Sequence, residues 1–224
     1  MRRSHKKCEG IDMILGISGS PRPHGITASA VKEVLAECDG DTKYISLAGK
    51  HIGGCISCLG CITDNRCIVN DDFQVIAKEM LRADAIIFGI PNYYDVPNGL
   101  SHCLLERCFC FRHRGAFLLQ DKLAVVLSTG YSSDEKNSQV LKIVEHFMTM
   151  NKMNTVAKFL VGAYSQCYRC TYGRTCADGN VVKNNGFVAE VTPDMLPPEF
   201  DKQPESMSKC RSTAELLNRI LPKK

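Results

Sequence analysis

The sequence predicts an α/β fold in which a parallel sheet is covered by helices on both faces. Short apolar runs, typical of buried strands, alternate along the chain with longer segments whose apolar residues recur at the spacing of one helical face. The runs are apolar throughout their length, which indicates strands that are buried on both sides. Five strands separated by four helices, joined by right-handed crossovers, give a doubly wound sheet.

The first half of the chain is expected to hold three strands and two helices. The strands are short apolar runs bounded by turn-rich stretches, and the first helix places its apolar residues on one face. Asp71 and Asp72 precede the second helix, and carboxylates suit a helix N-terminus because the helix dipole is positive there. In chain order we expect a strand at 13–17, a helix at 27–38, a weaker strand at 43–47, a helix ending at 81 and the clearest strand at 85–90.

The second half is expected to continue this alternation and then to lose it. A loop rich in Pro, Asn and Tyr follows the third strand, and the next two helices again carry apolar residues on one face. After Gly162 several prolines and an Asn-Asn-Gly sequence interrupt the pattern, so residues 163–205 are interpreted as an irregular extension. The expected elements are helices at 100–111, 140–148 and 212–221 and strands at 123–127 and 155–162.

A chain of 224 residues can bury one substantial core, so one domain with loop insertions is expected. We divide it into an N-terminal arm at 1–11, a sheet domain at 12–163 and a C-terminal extension at 164–224. The sheet domain includes a cysteine-rich loop at 53–70. Hydrophobic residues make up 44% of the chain, which is ordinary for a globular protein.

Composition and charge exclude several classes of protein. The net charge of +4 is modest, much of it lies at the two chain ends, and no basic segment is interleaved with aromatic residues, so nucleic acid is not an expected partner. No apolar run approaches the ~18 residues that a membrane helix needs, so no membrane is expected either. The N-terminus lacks the apolar stretch of a signal peptide. We therefore expect the 13 cysteines to be reduced or metal-bound in the cytoplasm.

Four cysteines fall within one short loop after the second strand, in the pattern C-x2-C-x2-C-x5-C. Glycines around the motif allow the tight turns that aim successive sulfur atoms at one centre. Structural zinc sites usually join two C-x2-C pairs from separate knuckles, whereas two successive x2 spacings with a fourth cysteine close behind favour a 4Fe–4S cluster. Zinc and unliganded thiols remain the alternatives. The candidate ligands are Cys55, Cys58, Cys61 and Cys67.

The loop after the first strand, residues 18–27, is rich in glycine and hydroxyl side chains and runs directly into a helix. Backbone N–H groups, the helix dipole and Arg22 would together hold a phosphate. The loop lacks both the G-x-G-x-x-G dinucleotide fingerprint and the G-K-S/T of a P-loop. A terminal phosphomonoester, as in FMN, is the ligand that fits, and the alternative is an ordinary polar turn in which Thr27 caps the helix.

The direction of the sheet predicts where these loops meet. In a doubly wound sheet the strand-to-helix loops emerge at the carboxyl edge, where ligands bind. The cysteine loop emerges there too, so we expect the cysteine centre and the phosphate ligand on the same side of the sheet. A one-electron centre beside a flavin would convert between one-electron and two-electron carriers, and no general base is needed for this.

The segment Gly-Ile-Ser-Gly-Ser-Pro-Arg at 16–22, with Gly25 and Thr27 beyond it, resembles the phosphate loop of the flavodoxin-like NAD(P)H-dependent FMN reductases. With the compact cysteine motif added, residues 12–163 are similar to the iron–sulfur flavoproteins of archaea and anaerobic bacteria. The pattern departs from the family at Ile26, where Asn is usual, and at the bulkier Asp-Val-Pro of 95–97.

This resemblance implies a flavodoxin-like doubly wound five-stranded parallel sheet, FMN, one 4Fe–4S cluster per chain and electron transfer between them, with ferredoxin or a similar one-electron donor. It also implies homodimers or homotetramers in which the cluster of one subunit approaches the flavin of another. The phosphate contacts it implies are Ser18, Ser20, Arg22, Gly25, Ile26 and Thr27, and the isoalloxazine contacts are Pro91, Asn92, Tyr93, Tyr94, Ser128, Thr129, Gly130 and Tyr131.

Two other functions stay open at this point. One is an FMN-dependent NAD(P)H:quinone or nitro reductase whose cysteine loop holds structural zinc. The other is a non-catalytic module that binds a phosphorylated partner through residues 18–27.

The remaining cysteines have simpler interpretations. Cys38, Cys103 and Cys108 lie on apolar helical faces and are expected to pack in the core, as free cysteines often do. A second group has the spacing C-x2-C-x5-C but only three thiols. It forms either a second metal site, completed by Cys8, Cys210 or a partner chain, or a set of reduced structural or redox-active thiols. Its members are Cys167, Cys170 and Cys176.

Overall fold

A computed structural model describes residues 13–131, 135, 138–196 and 198–221. The expected N-terminal arm and Cys8 lie outside these residues. The structure confirms the doubly wound α/β fold. Its six strands are β1 (Met13–Ser18), β2 (Asp41–Ser46), β3 (Ala85–Tyr93), β4 (Val96–Pro97), β5 (Leu123–Gly130) and β6 (Asn154–Gly162).

Five strands form one parallel sheet in the order β2-β1-β3-β5-β6. The order reverses between β1 and β3, where the chain first winds to one side of β1 and then to the other. Ligands of such sheets bind outside the carboxyl ends of the strands at this switch point. The loops after β1, β3 and β5 therefore surround one rim of the sheet.

The helices form a layer on each face of the sheet. Apolar side chains of α2 (Phe73–Arg82), α3 (Gly99–Arg107) and α4 (Gln139–Met150) share one core with one face of the sheet. Those of α1 (Ile26–Ala36) and α6 (Pro204–Ile220) share a second core with the other face. No helix in the described part of the chain has the length and apolar character needed to span a bilayer. The short helix α5 (Asn180–Asn185) lies in the C-terminal extension.

The segment expected to be a loop after the third strand is instead a tight hairpin. β3 continues to Tyr93 and pairs antiparallel with β4, with Tyr93 opposite Val96. The two residues of the turn, Tyr94 and Asp95, both have positive φ, at 56° and 63°. This is the conformation of a type I′ turn, which matches the twist of paired strands but is usually built from Asn and Gly. The usual residue preferences of type I′ turns therefore do not predict a hairpin at Tyr94 and Asp95.

The last helix begins eight residues earlier than expected, at Pro204 rather than Ser212. Proline fits the first position of a helix, because its missing N–H has no intrahelical acceptor there. The added turns carry Cys210, which is fully buried against the α1 side of the sheet. The extension also contains the short helix α5, so it is more regular than the proline and glycine content suggests.

Candidate functional site

The loop after β1 is buried at its start and leads directly into α1. Ser18 and Ser20 are 0% and 6% exposed, and the backbone N–H of Arg22 donates to Ser20 Oγ at 3.1 Å. Gly25 occupies the N-cap position, so the first N–H groups of α1 have no acceptor within the helix. These donors and the half-buried Arg22 form the surroundings that a phosphate requires.

Two hydroxyl groups at this rim are buried and have no hydrogen-bond partner among the described residues. They are Ser18 Oγ at the end of β1 and Ser128 Oγ in β5. Buried polar atoms are nearly always satisfied, so an orphaned pair at a ligand edge indicates a missing polar ligand. Nearby, the hydroxyls of Thr27 and Thr129 lie 2.6 Å apart and join the two loops. The residues present therefore fit a flavin phosphate and ribityl chain.

Two residues at the start of α3, Asn98 and Ser101, hold the loop after β1 in place. This loop, residues 18–27, is called the phosphate loop below. Asn98 is 3% exposed, and its Nδ2 donates to the carbonyl of Gly19 at 2.8 Å. Ser101 Oγ in turn donates to Asn98 Oδ1 at 2.5 Å. A Cβ atom on Gly19 would lie 1.8 Å from Ser101 Oγ, so only glycine fits here. No local pattern predicts this support, because Asn98 and Gly19 lie 79 residues apart.

The structure brings the loops after β3 and β5 together. A Cβ atom on Gly130 would lie 2.9 Å from the Cβ of Asn92, so the two backbones approach closely. Pro91, in β3, is buried. Tyr93 is partly exposed on the hairpin, while Tyr94 at its tip is fully exposed and turned away from the sheet. Of the two tyrosines, Tyr93 is therefore the better placed to contact an isoalloxazine ring.

All four cysteines of the compact motif line one cavity of about 630 Å³. Its other walls come from the second half of α3, from the 3-10 turn at 108–112 that continues α3, and from the last turns of α4. A fifth thiol, Cys110, also lines it, and burial raises the pKa of Cys110 to about 12. His113 Nε2 lies 3.0 Å from Cys61 Sγ. Neither Cys110 nor His113 was expected at this site.

Arg107 anchors both ends of the cysteine loop. Its guanidinium is fully buried and donates to the carbonyl of Gly53 at 3.0 Å and to the two carboxylate oxygens of Asp71 at 2.6 and 3.1 Å. It stacks over Phe73 at 4.7 Å and hydrogen-bonds the sulfur of Cys67. Burial alone would raise the pKa of Asp71, but the hydrogen bonds from Arg107 and from backbone N–H groups lower it overall. The pair is therefore charged.

Further hydrogen bonds attach the cysteine loop to α3 and to the residues that follow it. Glu106 Oε2 accepts from the backbone N–H of Cys55 at 3.1 Å. The buried Asn65 accepts from the N–H of His113 at 2.6 Å, and Arg114 donates to the carbonyl of Thr63. A loop without regular secondary structure is thus held along its length by residues 106–114.

The cysteine loop begins at the rim but does not stay there. The N–H of Leu47, just after β2, donates to the carbonyl of Ser18 at 2.9 Å, which places the start of the loop at the carboxyl edge as expected. The cavity, however, is also lined by Met150 and Asn151, which immediately precede the turn into β6 at the opposite edge. The cysteines therefore lie along the α2–α4 layer, displaced from the flavin rim.

The donor set of the cavity is rich in thiols. Four thiolates from one segment are the donors that either tetrahedral zinc or a cubane iron–sulfur cluster takes. Among the described residues, no three His, Cys, Asp or Glu side chains converge closely enough to hold one metal ion. Burial, together with the neighbouring thiols of Cys67, Cys55 and Cys58, raises the pKa of Cys61, and a bound cation would offset that repulsion.

The cysteines assigned to the core from the sequence are found there. Cys108 is buried, and burial raises its pKa well above the ordinary range. Cys38 and Cys103 are half-buried and pack against the two cores.

Comparison with known proteins agrees with this arrangement. A family model described as NADPH-dependent FMN reductase matches residues 13–166. An iron–sulfur flavoprotein of Methanocaldococcus jannaschii is 34% identical over 146 residues, covering 64% of this chain and 75% of that protein. One of Methanosarcina thermophila is 28% identical over 147 residues, covering 64% and 76%. The apo form of an NADH:FMN oxidoreductase shares the fold with a TM-score of 0.56 at 17% identity, covering 95% of this chain and 91% of that one.

Replacement of Arg107 by Met is expected to lower the free energy of unfolding by about 3–5 kcal/mol, because it leaves the Asp71 carboxylate buried without its partner. Urea unfolding of the reduced, metal-free protein measures this. Arg219→Met is the matched control, since the Arg219 side chain is exposed on α6, and it should change stability by less than about 0.5 kcal/mol. A loss of less than about 1 kcal/mol for Arg107→Met would show that this residue does not anchor the loop.

Proposed function

Since the chain belongs to the NADPH-dependent FMN reductase family and is an FMN-dependent oxidoreductase, we propose that it passes electrons between FMN and a 4Fe–4S cluster. The cluster is held by Cys55, Cys58, Cys61 and Cys67. Electrons arrive from ferredoxin or a similar one-electron donor and leave the flavin to an acceptor.

One observation carries the proposal: four closely spaced cysteines share a single cavity whose walls are fixed by buried side chains. Structural zinc sites usually join two C-x2-C pairs from separate knuckles, whereas these four cysteines follow one another within a single loop. The names of the relatives, iron–sulfur flavoproteins of Methanocaldococcus jannaschii and Methanosarcina thermophila, support the same assignment.

The rim residues supply the FMN site. The α1 N-terminus, Ser20 and Arg22 would hold the phosphate, and the orphaned hydroxyls of Ser18 and Ser128 would bind polar atoms deeper in the loop. Pro91, Asn92 and Tyr93 from β3, with Thr129, Gly130 and Tyr131 from β5 and beyond, would flank the ring. Bound there, FMN exchanges one or two electrons, while a cluster exchanges one. The chain itself positions the two groups.

The main alternative keeps the flavin but replaces the cluster by structural zinc, which gives a two-electron NAD(P)H:quinone or nitro reductase. Several solved structures with this fold are azoreductases or FMN oxidoreductases, but at 17% identity or less they support the fold alone. Iron and acid-labile sulfide assays on anaerobically purified protein, with a visible absorption spectrum, separate the two. Zinc without iron would favour the alternative.

The position of the cysteines supports an oligomer in which the cluster of one subunit faces the flavin of another. Within one chain the cysteine cavity extends away from the flavin rim along the helix layer. The loop also exposes large apolar side chains, including Ile56 at 71%, Leu59 at 58% and Ile68 at 63%. A cluster of apolar residues on an exposed loop is typical of a protein contact.

Cys61→Ala is expected to abolish iron and sulfide binding, because a cubane site needs its fourth thiolate, and to stop reduction of the flavin by reduced ferredoxin. Cys38→Ala, just after α1 and outside the cavity, should retain both metal and activity. Full iron and sulfide content in the Cys61 variant would contradict the ligand assignment.

Arg22→Ala is expected to weaken FMN binding by roughly 10-fold or more, since a charge-assisted hydrogen bond contributes about 1.5–3 kcal/mol and Arg22 is only half-buried. Flavin fluorescence titration of the apoprotein measures the change, and iron content should stay at the wild-type value. Arg82→Ala, on the surface of α2, serves as control. Unchanged FMN affinity in the Arg22 variant would remove this residue from the phosphate site.

Ile56→Asp is expected to convert the dimer or tetramer to monomer, because a carboxylate would be buried without a partner at the interface. Light scattering after size-exclusion chromatography gives the mass, and the iron assay shows whether the cluster survives. Ile220→Asp, at the end of α6, is the control and should leave the mass unchanged. A wild-type protein that is monomeric would refute the arrangement.

A further inference from the structure

The C-terminal extension lies against both loops assigned to FMN. Asn184 Nδ2 donates to the hydroxyl of Tyr131 at 2.7 Å and to that of Tyr168 at 3.0 Å. The ring of Tyr164 lies between two guanidinium groups, with Arg169 at 4.9 Å and Arg22, of the phosphate loop, at 6.0 Å. The segment that carries the second group of cysteines therefore borders the flavin rim.

Two of these cysteines are held at the ends of one tight turn. The N–H of Cys170 donates to the carbonyl of Cys167 at 3.3 Å, within the short 3-10 helix Gln166–Arg169 and its cap. Such a four-residue turn keeps its end Cα atoms within about 7 Å, and disulfides need about 4.4–6.8 Å. A Cβ atom on Gly173 would lie 1.9 Å from the carbonyl oxygen of Cys167, so the following chain packs directly onto this turn.

The surroundings of Cys167 favour its thiolate. The Ser165 hydroxyl and the backbone N–H of Asn180 hydrogen-bond its sulfur, and with Lys183 nearby they lower the pKa of Cys167. By contrast, burial raises the pKa of Cys210 to about 12. Cys170 is exposed at the far end of the turn. A stabilised, accessible thiolate next to an exposed second thiol is the arrangement of an attacking and a resolving cysteine.

We propose that Cys167 and Cys170 form a dithiol–disulfide exchange site whose substrate is a disulfide. The Cys167 thiolate attacks one sulfur of the substrate, which forms a mixed disulfide and releases the first substrate thiolate. Cys170 then loses its proton and attacks Cys167 Sγ, which forms the Cys167–Cys170 bond and releases the second thiolate. The two cysteines lose two electrons and the substrate disulfide gains them, so the exchange is balanced without a further reactant.

The site does not depend on the cluster or on FMN binding. A metal at Cys167, Cys170 and Cys176 is the competing assignment. The turn that joins Cys167 to Cys170 does not include Cys176, so Cys176 takes no part in the exchange. The outcome of peptide mapping after equilibration with glutathione does not depend on the metal content of the Cys55–Cys67 loop.

The experiment uses full-length protein equilibrated anaerobically with glutathione buffers of increasing oxidised fraction, followed by acid quenching and peptide mapping. Trypsin cuts after Lys158, Arg169, Arg174 and Lys183, so each cysteine of this group lies on its own peptide. We expect the peptide 159–169 to become linked to 170–174. In Cys170→Ser that linkage should be lost and Cys167 should instead carry glutathione, whereas Cys176→Ser should keep the wild-type linkage.

Four results would overturn the assignment. One is linkage of either peptide to 175–183, which would make Cys176 the partner. Another is absence of any linkage in this group at every buffer composition. The third is protection of all three thiols from alkylation until a chelator is added, which would show a metal site. The last is glutathione on Cys170 in Cys167→Ser together with none on Cys167 in Cys170→Ser. That result would reverse the roles of the two cysteines and contradict the proposed step.

Discussion

The buried ion pair between Arg107 and Asp71 fixes the cysteine loop to the rest of the fold. A guanidinium that is 2% exposed must have its charge compensated, and here Asp71 accepts it with both oxygens. The same side chain reaches Gly53 before the cysteine motif and Cys67 at its end. Lysine could not do this, because its ammonium lacks the planar fork. The pair stabilises the loop mainly because separating it would leave a buried charge alone.

Helix α3 connects the two sites. At its N-terminus Asn98 and Ser101 hold the phosphate loop through Gly19, and its last residue is Arg107. Nine helical residues span about 13 Å. A helix is rigid over this length, so the separation between the support of the phosphate loop and the anchor of the cysteine loop is set by helix geometry. Neither irregular loop determines it.

The sequence was sufficient for features that depend on local pattern. The five parallel strands follow from apolar runs and lie where they were expected. The phosphate loop and the cysteine ligands follow from residue types and spacing, and their roles stay predictions, while the cysteine loop extends away from the rim at which it was expected. Arg107 could not be found this way, because its partner Asp71 lies 36 residues upstream and a long-range pair has no local signature. The hairpin at 93–96 was missed because Tyr94 and Asp95 are unusual in a type I′ turn.

The displacement of the cysteine loop determines how the proposed electron path can be used. The rim has a wall on each side: the β3–β4 hairpin with Tyr93, and the extension that reaches Tyr131 through Asn184. An acceptor for electrons from FMN must therefore approach between these walls. The cysteine cavity opens elsewhere, on the α3–α4 surface beside the exposed Ile56. In the proposed oligomer this surface faces the flavin rim of a partner subunit, so it serves electron transfer between subunits and is not free to bind an external donor.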